Sequence, residues 1–369
     1  MKIKSNRRTL EKILDIFNPT IDSTNPFPAL LGLYFDVNES TTTIISSNGD
    51  VSIKHKIVSN ENFKIIEPGI LLIPSSLFRN IIKKIDGEVF IRNEGLILYL
   101  ENEGNIYTIN CLESENYPKI DFNLIDHKKV VINSSFIRDV IKNVSFASSS
   151  SETNNLVLSG VNFNLNLNKI IATATDSFRL AQESSSTLTN GDFNITITAK
   201  NLRDLFSNLN SEKVELLIDE YKINIIDENT IFQAKLINMP YIDVTKIIPK
   251  NFEKKLYIEK RVLNNYLNKA MVVLNERYSA IDVSISNEEI IFTSQRKEVG
   301  ATKLVLKNDS FTFEGTPIKI RLNSRFIKEA INVFENNIEI LMNSSEKPVL
   351  IKDKDSFNNL QLISPLRIN

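Results

Sequence analysis

The chain has 369 residues, enough for two or three domains that each bury a core of their own. Hydrophobic residues make up 42% and charged residues 24%, as in ordinary globular proteins, and no apolar run approaches the ~20 residues that a membrane-spanning helix needs. The single cysteine, Cys111, excludes an internal disulfide, and His55 and His127 supply little for zinc or Ser-His chemistry. We expect a cytoplasmic chain, because residues 1–17 mix charged with apolar residues and lack an apolar signal segment.

Six segments carry adjacent pairs of apolar residues four positions apart, the spacing of one buried face of a helix. In the second of them, for example, the stripe runs through Leu77, Phe78, Ile81 and Ile82. The pattern predicts six amphipathic helices, which begin near Ser5, Ser75, Ser134, Ala199, Glu259 and Ser324.

Between these helices the apolar residues alternate with polar ones, and Asn, Asp, Lys or Gly residues mark turns. Strand series are predicted over 30–58, 89–111, 156–181, 214–237, 281–306 and 338–363. The chain therefore reads as one helix and a few antiparallel strands repeated six times, an α+β protein. Since one such unit is small for a core, we expect the units to pair into three similar domains, over 1–128, 129–253 and 254–369.

Charge is distributed unevenly along the chain. The six helical segments hold 15 Lys and Arg against 6 Asp and Glu, a net charge of +9, which leaves −10 for the remainder of a chain whose total is −1. The pattern has two interpretations: ordinary solvated helix faces, or a basic surface that binds the phosphate backbone of a nucleic acid without reading its bases. The candidate phosphate-facing residues are Arg79, Lys83, Arg138, Lys142, Lys200, Arg203 and Lys328.

The stretch TATDSFRLA, residues 173–181, interrupts two apolar runs with Asp176, Ser177 and Arg179. A hydrolase that uses Asp176 and Ser177 is one hypothesis, but it lacks a histidine, and adjacent strand residues point to opposite faces. A turn is the simpler interpretation, because an Asp side chain can bond the backbone N–H groups that follow it. A β-rich scaffold protein with no nucleic-acid partner stays open as a further alternative.

The same stretch resembles the signature Ala-Thr-Asp-Gly-His-Arg-Leu-Ala of the bacterial DNA polymerase III beta subunits, the sliding clamps, in six of its eight positions, 174–181. The C-terminal segment LQLISPLR, residues 360–367, is similar to the family's last strand and tail. Asn-Glu-Arg-Tyr at 275–278 and the segment 241–249 also match, so the resemblance covers essentially the whole chain.

The resemblance implies a ring of two head-to-tail subunits that encircles duplex DNA independently of base sequence, with helices lining the hole. It also implies a homodimer that tethers the replicative polymerase and meets the clamp loader and repair polymerases through short peptides similar to Gln-Leu-x-Leu-Phe. No catalytic chemistry, cofactor, metal or membrane partner is expected.

The resemblance also assigns residues to sites. Those implied for the partner-peptide groove are Leu158, Thr175, Ser177, Phe178, Arg179, Leu180, Lys246, Ile247, Tyr278, Asn323, Phe326, Leu362, Ile363, Ser364, Pro365, Leu366 and Arg367. Arg179 and Arg367 are expected to hold the peptide's polar atoms. Those implied for the joint between subunits are Tyr107, Ile109, Val272 and Val273.

Four residues of the groove region depart from the family pattern: Ser177 replaces Gly, Phe178 replaces His, Ile242 replaces Pro, and Ser364 replaces Met or Leu. Because only Gly adopts positive φ without strain, we expect the turn at Ser177 to adapt to a different backbone conformation. Peptide preference is expected to differ from that of other members.

Overall fold

The computed structural model describes residues 1–21, 23–149, 155–206, 209–275, 279–354, 356 and 358–367, without the side chains of 188–190. These residues form two compact units. Unit 1 contains Met1–Ser134 and Lys200–Leu236, and unit 2 contains Ser135–Ala199 and Ile237–Asn369.

The six predicted helices are confirmed, and their apolar stripes are buried. They are α1 Arg7–Ile16, α2 Ser75–Ile82, α3 Ser134–Asn143, α4 Ala199–Phe206, α5 Lys260–Ala270 and α6 Ser324–Asn332. The predicted start at Ser5 is wrong by two residues, because Ser5 ends up in a strand and the side chain of Asn6 caps the helix by accepting a hydrogen bond from Thr9 N at 2.8 Å.

The strands are all paired antiparallel and include those of the six predicted series, but seven further strands among the described residues lie outside these series. The first twelve are β1 Lys2–Asn6, β2 Gly32–Val37, β3 Thr41–Ser47, β4 Val51–Val58, β5 Phe63–Glu67, β6 Gly69–Pro74, β7 Glu88–Glu94, β8 Ile97–Asn102, β9 Asn105–Asn110, β10 Lys128–Asn133, β11 Gly160–Thr175 and β12 Arg179–Thr198. The others are β13 Lys213–Ile218, β14 Lys222–Asp227, β15 Thr230–Lys235, β16 Lys254–Glu259, β17 Ala280–Ile285, β18 Glu289–Arg296, β19 Gly300–Lys307, β20 Phe311–Glu314, β21 Ile318–Asn323, β22 Asn337–Met342, β23 Val349–Asp353 and β24 Asn359–Ile363.

Unit 1 holds a five-stranded sheet in the order β5-β1-β7-β8-β9 and an eight-stranded sheet in the order β10-β13-β14-β15-β4-β3-β2-β6. Burial alternates along β8 and β13, as expected for sheets with one face on a core. The β8–β9 hairpin turns through Glu103 and Gly104, both at positive φ, the geometry that a two-residue hairpin loop requires.

Unit 2 holds a seven-stranded sheet in the order β11-β12-β24-β23-β22-β16-β20 and a four-stranded sheet in the order β19-β18-β17-β21. Helices α5 and α6 pack against these strands over a core that includes Leu263, Leu267, Phe292 and Ile331. The face of each helix away from this core is polar.

The six-unit repeat is visible in the strand pairing. The strand before α1 pairs with the strand after α2, and the strand before α2 pairs with the strand after α1 (β1 with β7, and β6 with β2). The same exchange links β10 with β13 and β12 with β11, and then β16 with β22 and β21 with β17. In each pair of repeats, the strand before one helix is thus hydrogen-bonded to the strand after the other helix. This exchange of strands is the physical reason that the repeats form pairs.

The division into two units passes through the middle pair of repeats. One of its sheets continues through β15 into β4 of the first pair, and the other continues through β12 into β24 of the last pair. Each half of the middle pair shares a continuous sheet with the first or the last pair of repeats. It therefore lies in the same compact unit as that pair. The proposed limits of three domains at 128 and 253 stay a prediction.

Candidate peptide groove and basic helix faces

The stretch 173–181 is a hairpin turn between β11 and β12 in unit 2. Asp176 Oδ1 accepts hydrogen bonds from the backbone N–H groups of Phe178 at 2.9 Å and Arg179 at 3.0 Å. Thr175 Oγ1 donates to the carbonyl of Arg179 at 2.6 Å. The turn predicted from Asp176 is therefore confirmed, and its carboxylate is committed to the backbone and to Arg179.

Ser177 keeps a φ of +77°, so the expectation that this turn would adapt is wrong. The two preceding side chains hold the backbone in place, because Asp176 bonds two following N–H groups and Thr175 Oγ1 accepts from Ser177 N at 3.2 Å. A residue with a side chain in this left-handed region carries about 1–2 kcal/mol of strain. The chain therefore retains a glycine-like turn without the glycine.

A small apolar cluster lies beneath the turn. Leu180 on β12 pairs in register with Leu362 on β24, which in turn pairs with Leu350 on β23. The buried members of the cluster are Leu180, Val244, Leu341, Leu350 and Leu362, and Tyr241, Ile248, Phe252 and Leu360 pack against them. Burial raises the pKa of the Tyr241 hydroxyl above its ordinary range. Leu180 and Leu362 thus form the floor of the candidate groove.

The other predicted groove residues divide by exposure. Thr175 and Ile363 are buried, and Leu158 and the tail residues Ser364, Pro365 and Leu366 are half-buried. Ser177, Lys246, Ile247 and Arg367 are exposed, and the Phe178 ring is 63% exposed. An aromatic ring held open to solvent beside buried leucines is the kind of anchor that peptide grooves use.

The C-terminal tail is attached to both sides of this region. Ser364 N donates to the carbonyl of Phe178 at 2.9 Å, and Leu366 N donates to the carbonyl of Arg321 at 2.8 Å. Arg321 forms a two-pronged ion pair with Asp282, at 2.6 and 2.9 Å, and this hydrogen bonding lowers the pKa of the Asp282 carboxyl. The tail is therefore hydrogen-bonded to the backbone of β21 as well as to the turn.

The Arg179 side chain is bonded within the chain. Its Nε donates to Asp176 Oδ2 at 2.9 Å, its Nη2 donates to the carbonyl of Phe146 at 2.7 Å, and its Nη1 is paired with Glu329. The side chain is only 13% exposed. Each guanidinium nitrogen already has an acceptor within the chain, and that Arg179 holds the peptide's polar atoms stays a prediction.

The second half of the predicted groove begins α6. The Asn323 side chain caps this helix by accepting from Arg325 N at 3.0 Å, and the half-buried Phe326 ring lies 4.4 Å from the Arg179 guanidinium. Tyr278 lies outside the described residues. The sequence patterns did not single out Val244, Phe146 or Glu329. Val244 lies within the segment 241–249 that is similar to the family, whereas no pattern joins Phe146 or Glu329 to Arg179.

The basic candidates lie opposite the buried stripes of their helices. Lys83, Arg138, Lys142, Lys200 and Arg203 are exposed, and Lys328 is half-buried. Arg79 is different, because its Nη2 donates to Asp15 on α1 at 2.9 Å. Part of its charge is thus balanced within unit 1. That these residues face DNA stays a prediction.

The residues predicted for a subunit joint lie on an edge strand and just after a helix. Tyr107 is exposed on β9, the edge strand of the five-stranded sheet, but the Ile109 side chain is 1% exposed and belongs to the subunit's own core. Ile106, 61% exposed on the same strand, is an apolar side chain that the sequence pattern did not single out. Val272, 79% exposed, and the half-buried Val273 lie just after α5.

Among the residues that the structure describes, no group of three or more His, Cys, Asp or Glu side chains could hold a metal ion. None of the described helices has the length and apolar content needed to cross a membrane.

The architecture is similar to that of known proteins. A crystal structure of a DNA polymerase sliding clamp from Bacillus subtilis superposes with a TM-score of 0.94 at 24% identity, covering 100% of both chains. Proteins named beta sliding clamp from Mycoplasmopsis pulmonis and Mycoplasma capricolum are 28% and 29% identical, and each alignment covers at least 99% of both chains.

The fold is thus that of a DNA polymerase sliding clamp. Three consecutive models of one family match the chain: the N-terminal domain of the DNA polymerase III beta subunit over 1–121, the central domain over 131–243 and the C-terminal domain over 245–367. The chain belongs to the DNA polymerase III beta subunit family. This family consists of processivity factors without catalytic chemistry, so the hydrolase hypothesis is wrong.

Proposed function

We propose that the chain is a sliding clamp that closes as a homodimeric ring around duplex DNA, works in the cytoplasm and tethers the replicative polymerase. The observation that carries this proposal is the repeat itself, in which buried apolar stripes leave the basic faces of successive helices exposed. A ring built from such repeats presents positive charge at many positions around DNA.

Contact with DNA is proposed to involve phosphates alone. Arg138, Lys142, Lys200 and Arg203 are long, exposed cations, and such side chains bind phosphates by releasing counterions. Base-specific hydrogen bonds, worth about 1–3 kcal/mol each, would hold the ring at one site. Phosphate contacts let the ring move along the duplex while it stays bound.

The groove of unit 2 is proposed to bind short peptides of the polymerase, the clamp loader and repair polymerases. Phe178 and Ile247 offer exposed apolar surface, and Leu180 and Leu362 close the floor beneath. Arg367, exposed at the end of the tail, is the groove arginine that stays accessible to a peptide's polar atoms. A Kd in the micromolar range, about −8 kcal/mol, would let partners exchange.

The homodimer is proposed to form where β9 of one subunit meets β19 of the other. Each is an edge strand, whose outer backbone groups have no partner strand among the described residues. Ile106 and Tyr107 on β9 and Val305 on β19 are exposed apolar side chains. Unlike edges that meet head to tail can close two copies into a ring with two equal joints.

The mass of the native assembly tests this proposal. At micromolar concentration we expect twice the 42.0 kDa of one chain, measured by light scattering after gel filtration. Ile106→Lys is expected to yield monomer because it places a charge at the joint. The matched control is Ile66→Lys on β5, the opposite edge of the same sheet, which should stay dimeric. A wild-type chain that remains a monomer would contradict the ring.

A further inference from the structure

Arg179 lies at the centre of the groove region, but its bonding is internal. Its three guanidinium nitrogens bond Asp176, Phe146 and Glu329, and its planar group covers the face of the Phe326 ring at 4.4 Å. A planar guanidinium with every nitrogen engaged and one face on an aromatic ring is fixed in orientation. It can therefore act as a structural bracket.

The bracket joins two elements that are far apart in the chain but lie in the same compact unit. One end is the hairpin turn, through Asp176 in the turn itself. The other end is α6, through Glu329, whose side chain is 39% exposed and which is not among the predicted groove residues. This ion pair therefore links the turn to α6.

The residue that the bracket holds in place is Phe178. It is adjacent to Arg179, its backbone N–H bonds the same Asp176, and its carbonyl accepts from Ser364 of the tail. The ring itself is left open to solvent. Movement of the turn would displace the exposed ring and the start of the tail together.

We propose that Arg179 is a positioning residue for the groove, which acts through Glu329 and does not itself bind the partner peptide. This inference rests on the proposed function, because it assumes that peptides bind beside Phe178. It assigns a functional role to Glu329, which lies outside the groove. Fixing the turn in advance lowers the ordering cost of binding.

The test uses Glu329→Gln, which removes the charge and keeps the shape. We expect the affinity for a fluorescein-labelled Gln-Leu-Ser-Leu-Phe peptide, measured by fluorescence anisotropy on the full-length protein, to fall about fivefold to tenfold. Arg179→Ala should weaken binding too. In the double variant, however, Arg179→Ala should lower the peptide affinity by less than about twofold relative to Glu329→Gln alone, because Glu329→Gln has already broken the bracket. Arg179→Lys keeps the charge but loses the planar guanidinium and its several donors. Its peptide affinity should therefore lie between those of the wild type and Arg179→Ala.

If Arg179 contacted the peptide directly, Glu329→Gln would not lower the peptide affinity. Glu329→Gln would then release the arginine, binding would stay equal or tighten, and Arg179→Ala would carry its full effect in either background; any of these results would overturn the proposal. The matched control is Glu289→Gln, which removes a carboxylate paired with Lys307 elsewhere in unit 2 and should leave peptide affinity unchanged. A wild-type chain that binds no peptide would instead refute the proposed groove, and the positioning role with it.

Discussion

Replacing Leu362 with alanine is expected to lower the free energy of unfolding by about 3 kcal/mol and to abolish measurable peptide binding. Leu362 is 2% exposed and packs with Leu180, Leu341 and Leu350, so truncation removes buried methyl groups and leaves a cavity under the turn. The groove floor would lose its central side chain. Urea unfolding and peptide anisotropy measure the two effects.

A second buried leucine separates these effects. Leu267 on α5 is fully buried in the larger core of unit 2, away from the cluster under the turn. Leu267→Ala should cost a similar amount of stability, about 3 kcal/mol, and leave peptide affinity unchanged. Equal loss of peptide binding in both variants would mean that the floor has no specific role and that lowered stability alone explains the defect.

His55 is expected to make the stability of the protein fall as the pH is lowered from about 7 to about 4. It lies on β4, where Nδ1 is 2.8 Å from Thr230 Oγ1 on the neighbouring strand, and burial lowers the pKa of His55 from 6.5 to about 4. Between these values the unfolded chain binds a proton that the folded chain does not, so acid favours unfolding. The shift corresponds to about 3 kcal/mol.

The measurement compares the free energies of unfolding of wild type and His55→Gln, obtained in urea at several pH values. The contributions of carboxylates that both proteins share cancel in the difference. The stability difference between the two should change by about 3 kcal/mol over this range in favour of the variant. His127, which is exposed, supplies the control: His127→Gln should follow the wild-type curve. Parallel curves for wild type and His55→Gln would refute the buried neutral histidine.

The helices could be predicted from the sequence because each carries its own information. A stripe such as Phe136, Ile137 and Val140 specifies a buried face locally, and the structure buries all three. The first strand was missed because residues 2–6 are short and mix Lys with Ile and Ser. Only pairing with β5 and β7, more than fifty residues away, makes this segment extended.

The local geometry of the candidate site could be predicted from the sequence only where neighbouring residues determine it. Asp176 acts as a local turn residue, which the sequence indicates directly. The resemblance implied a peptide-holding role for Arg179, but no local pattern indicates its bond to Glu329, which lies 150 residues away. The alternation along β9 does not tell which face its own core covers, so the burial of Ile109 and the exposure of Ile106 could not be predicted.

Retention on DNA with blocked ends tests the central claim most directly. The protein is threaded onto linear duplex, both ends are blocked with bound streptavidin, and the salt is raised to about 0.5 M, where simple electrostatic binding is lost. A closed ring should stay on the blocked duplex and leave once a restriction cut frees an end. Equal retention on blocked and open duplex would contradict a clamp that encircles DNA.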